Sequence, residues 1–336
     1  MHQAMYWEKA EGDKIQCLLC PQQCIIAPGR KGFCRVRLNE GGKLYSINYG
    51  RCSSYGMDPI EKKPLYHFNP GSYIFSAGTF GCNFRCGFCQ NWSIAQGDPE
   101  TITVTPASLC EIGGAAEQGH RSVGIAYTYS EPFMWYEFVL DTAKLARDAG
   151  LKNVLVTNGF INPEPLEEIM PFIDAMNIDV KAFNDGYYNE TCVGELHPVL
   201  KTVEEAAKHC HVEITTLLVT GLNDSDDEIS DLVDWLAGID SEIPLHFSRY
   251  FPNYKMDLPP TPVETMERAR ELALQKLSYV YLGNVPGADG SNTYCPQCGN
   301  LLINRKGYRA ANMGLENKKC RSCGRKINIE GDFAPA

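Results

Sequence analysis

Between about residue 73 and residue 283 the chain alternates between two patterns. Short apolar runs, SYIFSAGTF, SVGIAYTY, KNVLVTNG, FIDAMNIDV, VEITTLLVTG, IPLHFSRY and LSYVYLGN, read as strands. Between them lie helix-like stretches: PFMWYEFVLDTAKLARDAG, PEPLEEIM, LKTVEEAAKHC, SDDEISDLVDWLAG and PVETMERARELALQK. Strand and helix alternating at this length build βαβ units on a parallel sheet. About seven strands are expected, one short of an eight-stranded barrel. The expected fold class is α/β: a partial or near-complete (β/α) TIM-type barrel over residues 71–285. Parallel α/β folds carry their chemistry at the C-terminal ends of strands, so polar residues there become candidates.

The flanks lack this pattern. Residues 1–70 hold turn signals such as APGRKG, NEGGK and NPG and no long amphipathic helix, which predicts a small metal-stapled module. Residues 291–336 form a second cysteine-rich module, and PGADG after Val285 reads as the linker to it.

Fifteen cysteines are many for a chain with no signal-peptide core at its N-terminus. Eleven fall into three tight groups: Cys17, Cys20, Cys24 and Cys34; Cys82, Cys86 and Cys89; Cys295, Cys298, Cys320 and Cys323. Such clustering suits metal coordination better than disulfides. Cys52, Cys110, Cys192 and Cys210 are scattered and read as small buried apolar residues. No apolar run approaches the ~18 residues of a membrane span. A cytoplasmic location without membrane partners is expected.

The net charge of −10 argues against a general nucleic-acid binder. Between Cys295 and Ile329, however, eight Lys/Arg face one acid, Glu316, so that segment is +7 and the remainder −17. A basic patch of Arg305, Lys306, Arg309, Lys318, Lys319, Arg321, Arg325 and Lys326 could dock an acidic partner, or be only a solvated surface.

The loop GTFGCNFRCGFCQN has the spacing C-x3-C-x2-C directly after a strand. Three thiolates can hold three irons of a [4Fe–4S] cube and leave the fourth open, and an open position marks a reactive metal site. An amino acid can fill it by chelation through its nitrogen and carboxylate.

CNFRCGFC resembles the C-x3-C-x-aromatic-C motif of the radical S-adenosylmethionine (SAM) superfamily. The resemblance implies that SAM is the missing ligand, and that one electron from the cluster cleaves it to methionine and a 5′-deoxyadenosyl radical that abstracts hydrogen from a substrate. It also implies roles for other strand-end residues. Ser130 and Glu131, in YTYSEP, stand where the superfamily places a Gly-Gly-Glu-Pro-like motif that accepts hydrogen bonds from the SAM ammonium. Asn158 in VTNG ends the next strand. Asp179 and Lys181 in IDVKAF match a pair beside SAM in glycyl-radical activating enzymes, and His246 in PLHFSRYFP is expected near the cofactor for the same reason. Phe88 should pack on the adenine, and Asn91 should fix the loop. Across residues 15 to 287, CLLCPQQC with GRKGFC, DPIEKKPLYHF, GTFGCNFRCGFCQNWSIAQ and LGNVPG resemble the radical SAM component of the AmmeMemoRadiSam system, close to pyruvate formate-lyase activating enzymes. No role is assigned to DPIEKKPLYHF.

CPQCG and CRSCG form two Cys-x-x-Cys-Gly knuckles, a four-cysteine site with zinc favoured over iron. The N-terminal C-x2-C-x3-C-x9-C group suits zinc or an auxiliary [4Fe–4S] cluster, with zinc the first reading. The expected function is a radical SAM enzyme with a low-potential donor, ferredoxin or flavodoxin, and a protein or small-molecule substrate. The competing reading is a non-catalytic metal-binding adaptor whose zinc ribbon binds protein or nucleic acid.

Overall fold

The structure is a computed structural model describing residues 1–117, 120–285 and 289–334. All seven expected runs form strands: β2 (Tyr73–Gly78), β3 (His120–Tyr127), β4 (Lys152–Thr157), β5 (Ala175–Asp179), β6 (His211–Leu218), β7 (Leu245–Arg249) and β8 (Val280–Gly283), after an additional strand β1 (Ser54–Pro59). Strands β2 to β8 pair in parallel and in chain order, while β1 runs antiparallel along β2, with Ser54 opposite Gly78. Ala116–Glu117 pairs β3 and completes a nine-stranded sheet. Among the described residues β8 and β1 remain its two edges. Ser54–Pro59, which the sequence reading assigns to the N-terminal module, therefore belongs to the main sheet.

The five expected helices form: Tyr136–Asp148, Pro163–Ile169, Leu196–Ala206, Asp226–Asp240 and Val263–Ala273. A sixth, Pro106–Gly114, was not anticipated, and a reciprocal Thr105–Ser108 capping box starts it. Residues alternate between the two faces of the sheet, as the pleat dictates. Phe75, Ile125, Leu155, Met176 and Ile214 join the core that contains the helices. Ile74, Ala126, Val154 and Ala175 pack instead on Ile60, Leu65 and Phe68.

That second contact explains DPIEKKPLYHF. Residues 60–69 cross the face of the sheet away from the helices, near the strands' N-terminal ends. Glu213, fully buried in β6, accepts from the Tyr66 and His67 backbone N–H groups at 3.0 and 2.7 Å and contacts His246 Nε2 at 2.6 Å and His211 Nε2 at 3.0 Å. Burial pushes this carboxyl up, but the two histidines outweigh it and hold the group well below the ordinary range. Asn177 Nδ2 donates to the Pro64 carbonyl at 2.9 Å.

Small antiparallel sheets flank the main one. The N-terminal ones are Trp7–Lys9 with Ile15–Cys17 and Ile25–Ile26, and His2–Gln3 with Lys43–Ser46 and Arg37–Glu40. They are fastened to helix Tyr136–Asp148 by Arg37, whose Nη1 lies 2.7 Å from Glu137 Oε1 with both side chains buried. The C-terminal sheet (Thr293–Tyr294, Leu301–Lys306, Arg309–Asn312) packs Leu302, Ile303, Ile327 and Ile329 against Tyr66, Tyr279 and Tyr281. His67 ties it further, to the Asn328 carbonyl and the Tyr281 hydroxyl at 2.6 Å each.

This placement takes two residues out of the expected basic patch and leaves Lys306, Arg309, Lys319, Arg321 and Lys326 exposed. Arg305 is 4% exposed, donates to the Tyr66 carbonyl at 2.8 Å, lies over the Tyr66 ring and faces Glu61 at 3.7 Å. Arg325 is paired with Glu242 at 2.8 Å. The module lies where β8 begins, whereas the three-cysteine loop leaves the opposite, C-terminal end of β2. A strand of six residues spans about 20 Å. The exposed cations thus lie toward the end of the sheet away from that loop. Residues 286–288 of the expected PGADG linker lie outside the described residues.

Candidate active site

Strand β2 ends at Gly78, and the chain turns into the loop carrying Cys82, Cys86 and Cys89. Gly81 has φ +91°, and a Cβ there would stand 2.6 Å from Val36 and 2.7 Å from the Cys34 carbonyl oxygen. Only glycine fits so tight an approach to the N-terminal module. Arg85 N–H donates to the Cys192 carbonyl at 2.7 Å, and Asn83 Nδ2 to the Phe160 carbonyl at 2.6 Å. The loop is therefore held by contacts to neighbouring segments.

The ends of the next strands meet this loop. Glu131 is 3% exposed; its carboxylate accepts from Thr157 Oγ1 at 2.6 Å, Asn158 N–H at 2.8 Å and Phe133 N–H at 3.0 Å. Asn158 Nδ2 in turn reaches Asn83 Oδ1 at 2.9 Å and Cys82 Sγ at 3.7 Å. Glu131 thereby orients Asn158 toward a candidate ligand sulfur. Burial pushes the Glu131 carboxyl up to about 7 despite these donors. Beside it, Ser130 Oγ is buried without a hydrogen-bond partner. An orphaned hydroxyl next to a buried carboxylate is the arrangement a polar ligand would complete.

Tyr129 has φ +71°, a left-handed backbone at a position the resemblance would fill with glycine. For a non-glycine residue this costs about 1–2 kcal/mol. Its hydroxyl donates to Asp58 at 2.8 Å and its ring carries Lys63 Nζ at 4.7 Å, contacts that offset the strain.

Asp179 ends β5 and Lys181 lies just beyond it; their side chains pair at 2.5 Å. Burial alone would lower the lysine pKa, but Asp179 and the nearby Cys86 sulfur hold it above its ordinary value. Phe88 is buried, with Tyr187 6.1 Å away between centroids. Asn91 is exposed and starts the helical turn Trp92–Ala95, its carbonyl accepting from Ala95 N–H at 2.9 Å. His246 departs from expectation. It is the second residue of β7, not its end, and its imidazole is committed to Glu213 and packed edge-on to Tyr66. A resemblance-based assignment to an alternating run cannot tell which residue terminates the strand.

The sequence reading missed Asn83, Thr157 and Cys192. The first two are polar residues adjacent to motif positions. Cys192 carries no local signal, yet it lies fully buried against Cys86. That contact and burial push the Cys86 thiol up, and burial followed by the Glu131 charge does the same to Cys82. Buried sulfurs in this state become thiolates when a metal supplies positive charge.

The C-terminal cysteines have a different geometry. All four Sγ atoms lie within 4.8 Å of one another, with Cys295–Cys323 at 3.5 Å and Cys298–Cys320 at 3.6 Å. Four thiolates on one tetrahedral ion at ~2.3 Å stand ~3.8 Å apart. Gly299 and Gly324, with φ of +71° and +75°, close the two knuckles by donating to the Cys295 and Cys320 carbonyls at 2.9 and 2.8 Å.

The family profile described as "Radical SAM superfamily" matches residues 77–236. The chain is 46% identical to the protein MJ0808 of Methanocaldococcus jannaschii, over 98% of this chain and 99% of that one. It is 24% identical to the pyruvate formate-lyase-activating enzyme of Clostridium pasteurianum, over 58% of this chain and 86% of that one. The solved structure of SuiB from Streptococcus suis bound to S-adenosylmethionine shares the fold with a TM-score of 0.52 at 13% identity, over 68% of this chain and 53% of that one. No helix among the described residues is long and apolar enough to cross a membrane.

Proposed function

Since the chain belongs to the radical SAM superfamily and is an enzyme of the activase type, we propose that Cys82, Cys86 and Cys89 hold a [4Fe–4S] cluster whose open iron takes SAM. When bound, the pair supplies a 5′-deoxyadenosyl radical, formed with methionine by one-electron cleavage of the sulfonium, which abstracts hydrogen from the substrate. The observation that carries this reading is the orphaned Ser130 hydroxyl beside buried Glu131, which two hydrogen bonds through Asn158 link to Cys82. Ser130 and Glu131 would receive the amino group of SAM. Lys181 would face its carboxylate, and Phe88 its adenine. We read the sheet as a partial (β/α) TIM-type barrel whose mouth carries these residues, and the C-terminal four-cysteine site as zinc. The activating-enzyme relatives favour a protein substrate, and a low-potential donor such as ferredoxin or flavodoxin would provide the electron.

Protein reconstituted anaerobically with iron and sulfide, then given dithionite and SAM, should form 5′-deoxyadenosine. Intact SAM after many hours with a fully loaded cluster would return the chain to the adaptor reading.

A pH dependence follows from Glu131. An ionised carboxylate accepts the amino hydrogens of SAM, and a protonated one presents one acceptor fewer. Its raised pKa of about 7 means that SAM affinity should rise as pH increases through neutrality. A hydrogen bond to a charged group contributes about 1.5–3 kcal/mol, or roughly tenfold or more in affinity. Glu131→Gln should flatten this dependence and weaken SAM binding with little loss of iron. An unchanged pH profile in the variant would remove Glu131 from the SAM site.

A further inference from the structure

We infer that Cys17, Cys20, Cys24 and Cys34 hold a second [4Fe–4S] cluster, seated against the Cys82–Cys86–Cys89 loop. Three observations carry this, independently of the function proposed above.

The first is spacing. Among the described residues only the C-terminal four cysteines bring their sulfurs within 4.8 Å of one another. The N-terminal four line a single cavity with Met134 and Arg37 but do not converge so closely. A single zinc ion draws four thiolates to one point. A cubane spreads them, one to each iron, and so fits sulfurs that share a cavity while standing apart.

The second is Arg37. It is 1% exposed and lines the cavity; Nη1 is engaged by Glu137 and the Met5 carbonyl, while Nε and Nη2 are buried with no partner. Two buried donor nitrogens without partners, on a side chain that lines the same cavity as the four cysteines, call for an anionic acceptor. A cubane offers bridging sulfides in addition to its thiolates, and hydrogen bonds to those sulfurs are among the ordinary supports of such clusters. Phe33 N–H already donates to Cys24 Sγ at 3.3 Å.

The third is the join between the two loops. The Arg85 guanidinium lies 3.9 Å over the Phe33 ring, donates to the Phe33 carbonyl and donates to the Cys82 carbonyl at 2.9 Å. Gln22 Nε2 donates to the Asn83 carbonyl at 3.1 Å, and Gly81 lies against Val36 and Cys34. One side chain thus spans from the residue before Cys34 to Cys82 itself.

The test is the metal content of the full chain after anaerobic reconstitution. The Cys82→Ala/Cys86→Ala/Cys89→Ala variant leaves the N-terminal module untouched. It should retain about four iron and four sulfide per chain, give a reduced-cluster electron paramagnetic resonance signal that SAM does not alter, and carry about one zinc. Cys320→Ser/Cys323→Ser should remove the zinc and spare the iron. Cys24→Ser in the otherwise native chain should halve the iron and leave the SAM-responsive signal. A triple variant that carries no cluster iron overturns the inference, and two zinc ions per chain would assign the N-terminal site to zinc.

Discussion

Replacing Cys86 with alanine is expected to abolish 5′-deoxyadenosine formation, and the same holds for Cys82 and Cys89. Each thiolate of a site-differentiated cube has its own iron, so no neighbouring sulfur of the triad can serve two positions. Cys192 lies against Cys86 and is well placed to stand in. Its own backbone is engaged, however, with its carbonyl accepting from Arg85 N–H at 2.7 Å. Cys86→Ala/Cys192→Ala should therefore be no worse than Cys86→Ala alone. Measurable cleavage by Cys86→Ala that vanishes in the double variant would identify Cys192 as a substitute ligand. Cleavage persisting in both would end the ligand assignment.

Glu213→Gln should cause the largest loss of stability of any single polar substitution in the main sheet. The carboxylate is fully buried, touches two histidines and caps two backbone N–H groups. Removing one partner of a buried charged network costs about 3–5 kcal/mol, because the remaining groups are left unpaired. In a domain of this size that is a fall in Tm on the order of 10 °C. Since the folded carboxyl is held below its ordinary pKa, its contribution is present above the carboxylate range and is lost as pH falls through it. The half-exposed Glu205→Gln, which gives up only surface pairs with Lys208 and His209, is the control, expected within about 1 kcal/mol of wild type. A Glu213 variant no less stable than that control would show the network to be energetically idle.

The seven parallel strands were legible because each is an apolar run bounded by turn residues, and periodicity identifies such runs directly. Strand β1 was not. SYGMDP contains Gly56 and Pro59, is half-exposed, and reads as a turn; only its pairing along Tyr73–Gly78 makes it a strand. The helix Pro106–Gly114 hid behind a serine, a cysteine and two glycines, and its signal was the cap. At the site, spacing revealed the three cysteines and the C-terminal knuckles, since ligands close in sequence must be close in space. Glu213 and Cys192 could not be found that way. Apart from His211 two positions before it, Glu213 draws its partners from segments 33 to 147 residues away, and Cys192 meets a residue 106 away, where sequence holds no record of the contact. Arg305 taught the same lesson in reverse: a charge counted as surface is a buried anchor.

The segment over residues 60–69 has one further consequence. Its Leu65, Tyr66 and Phe68 close the strands' N-terminal ends, and the C-terminal sheet seals them again through His67 and Arg305. Nothing that enters the proposed mouth can therefore leave through the N-terminal ends of the strands. A polypeptide could present a hairpin tip or a free end to the reacting centre but could not be threaded past it. Methionine and 5′-deoxyadenosine would then have to depart around the substrate, or after it, which predicts that spent cofactor and substrate compete for the exit.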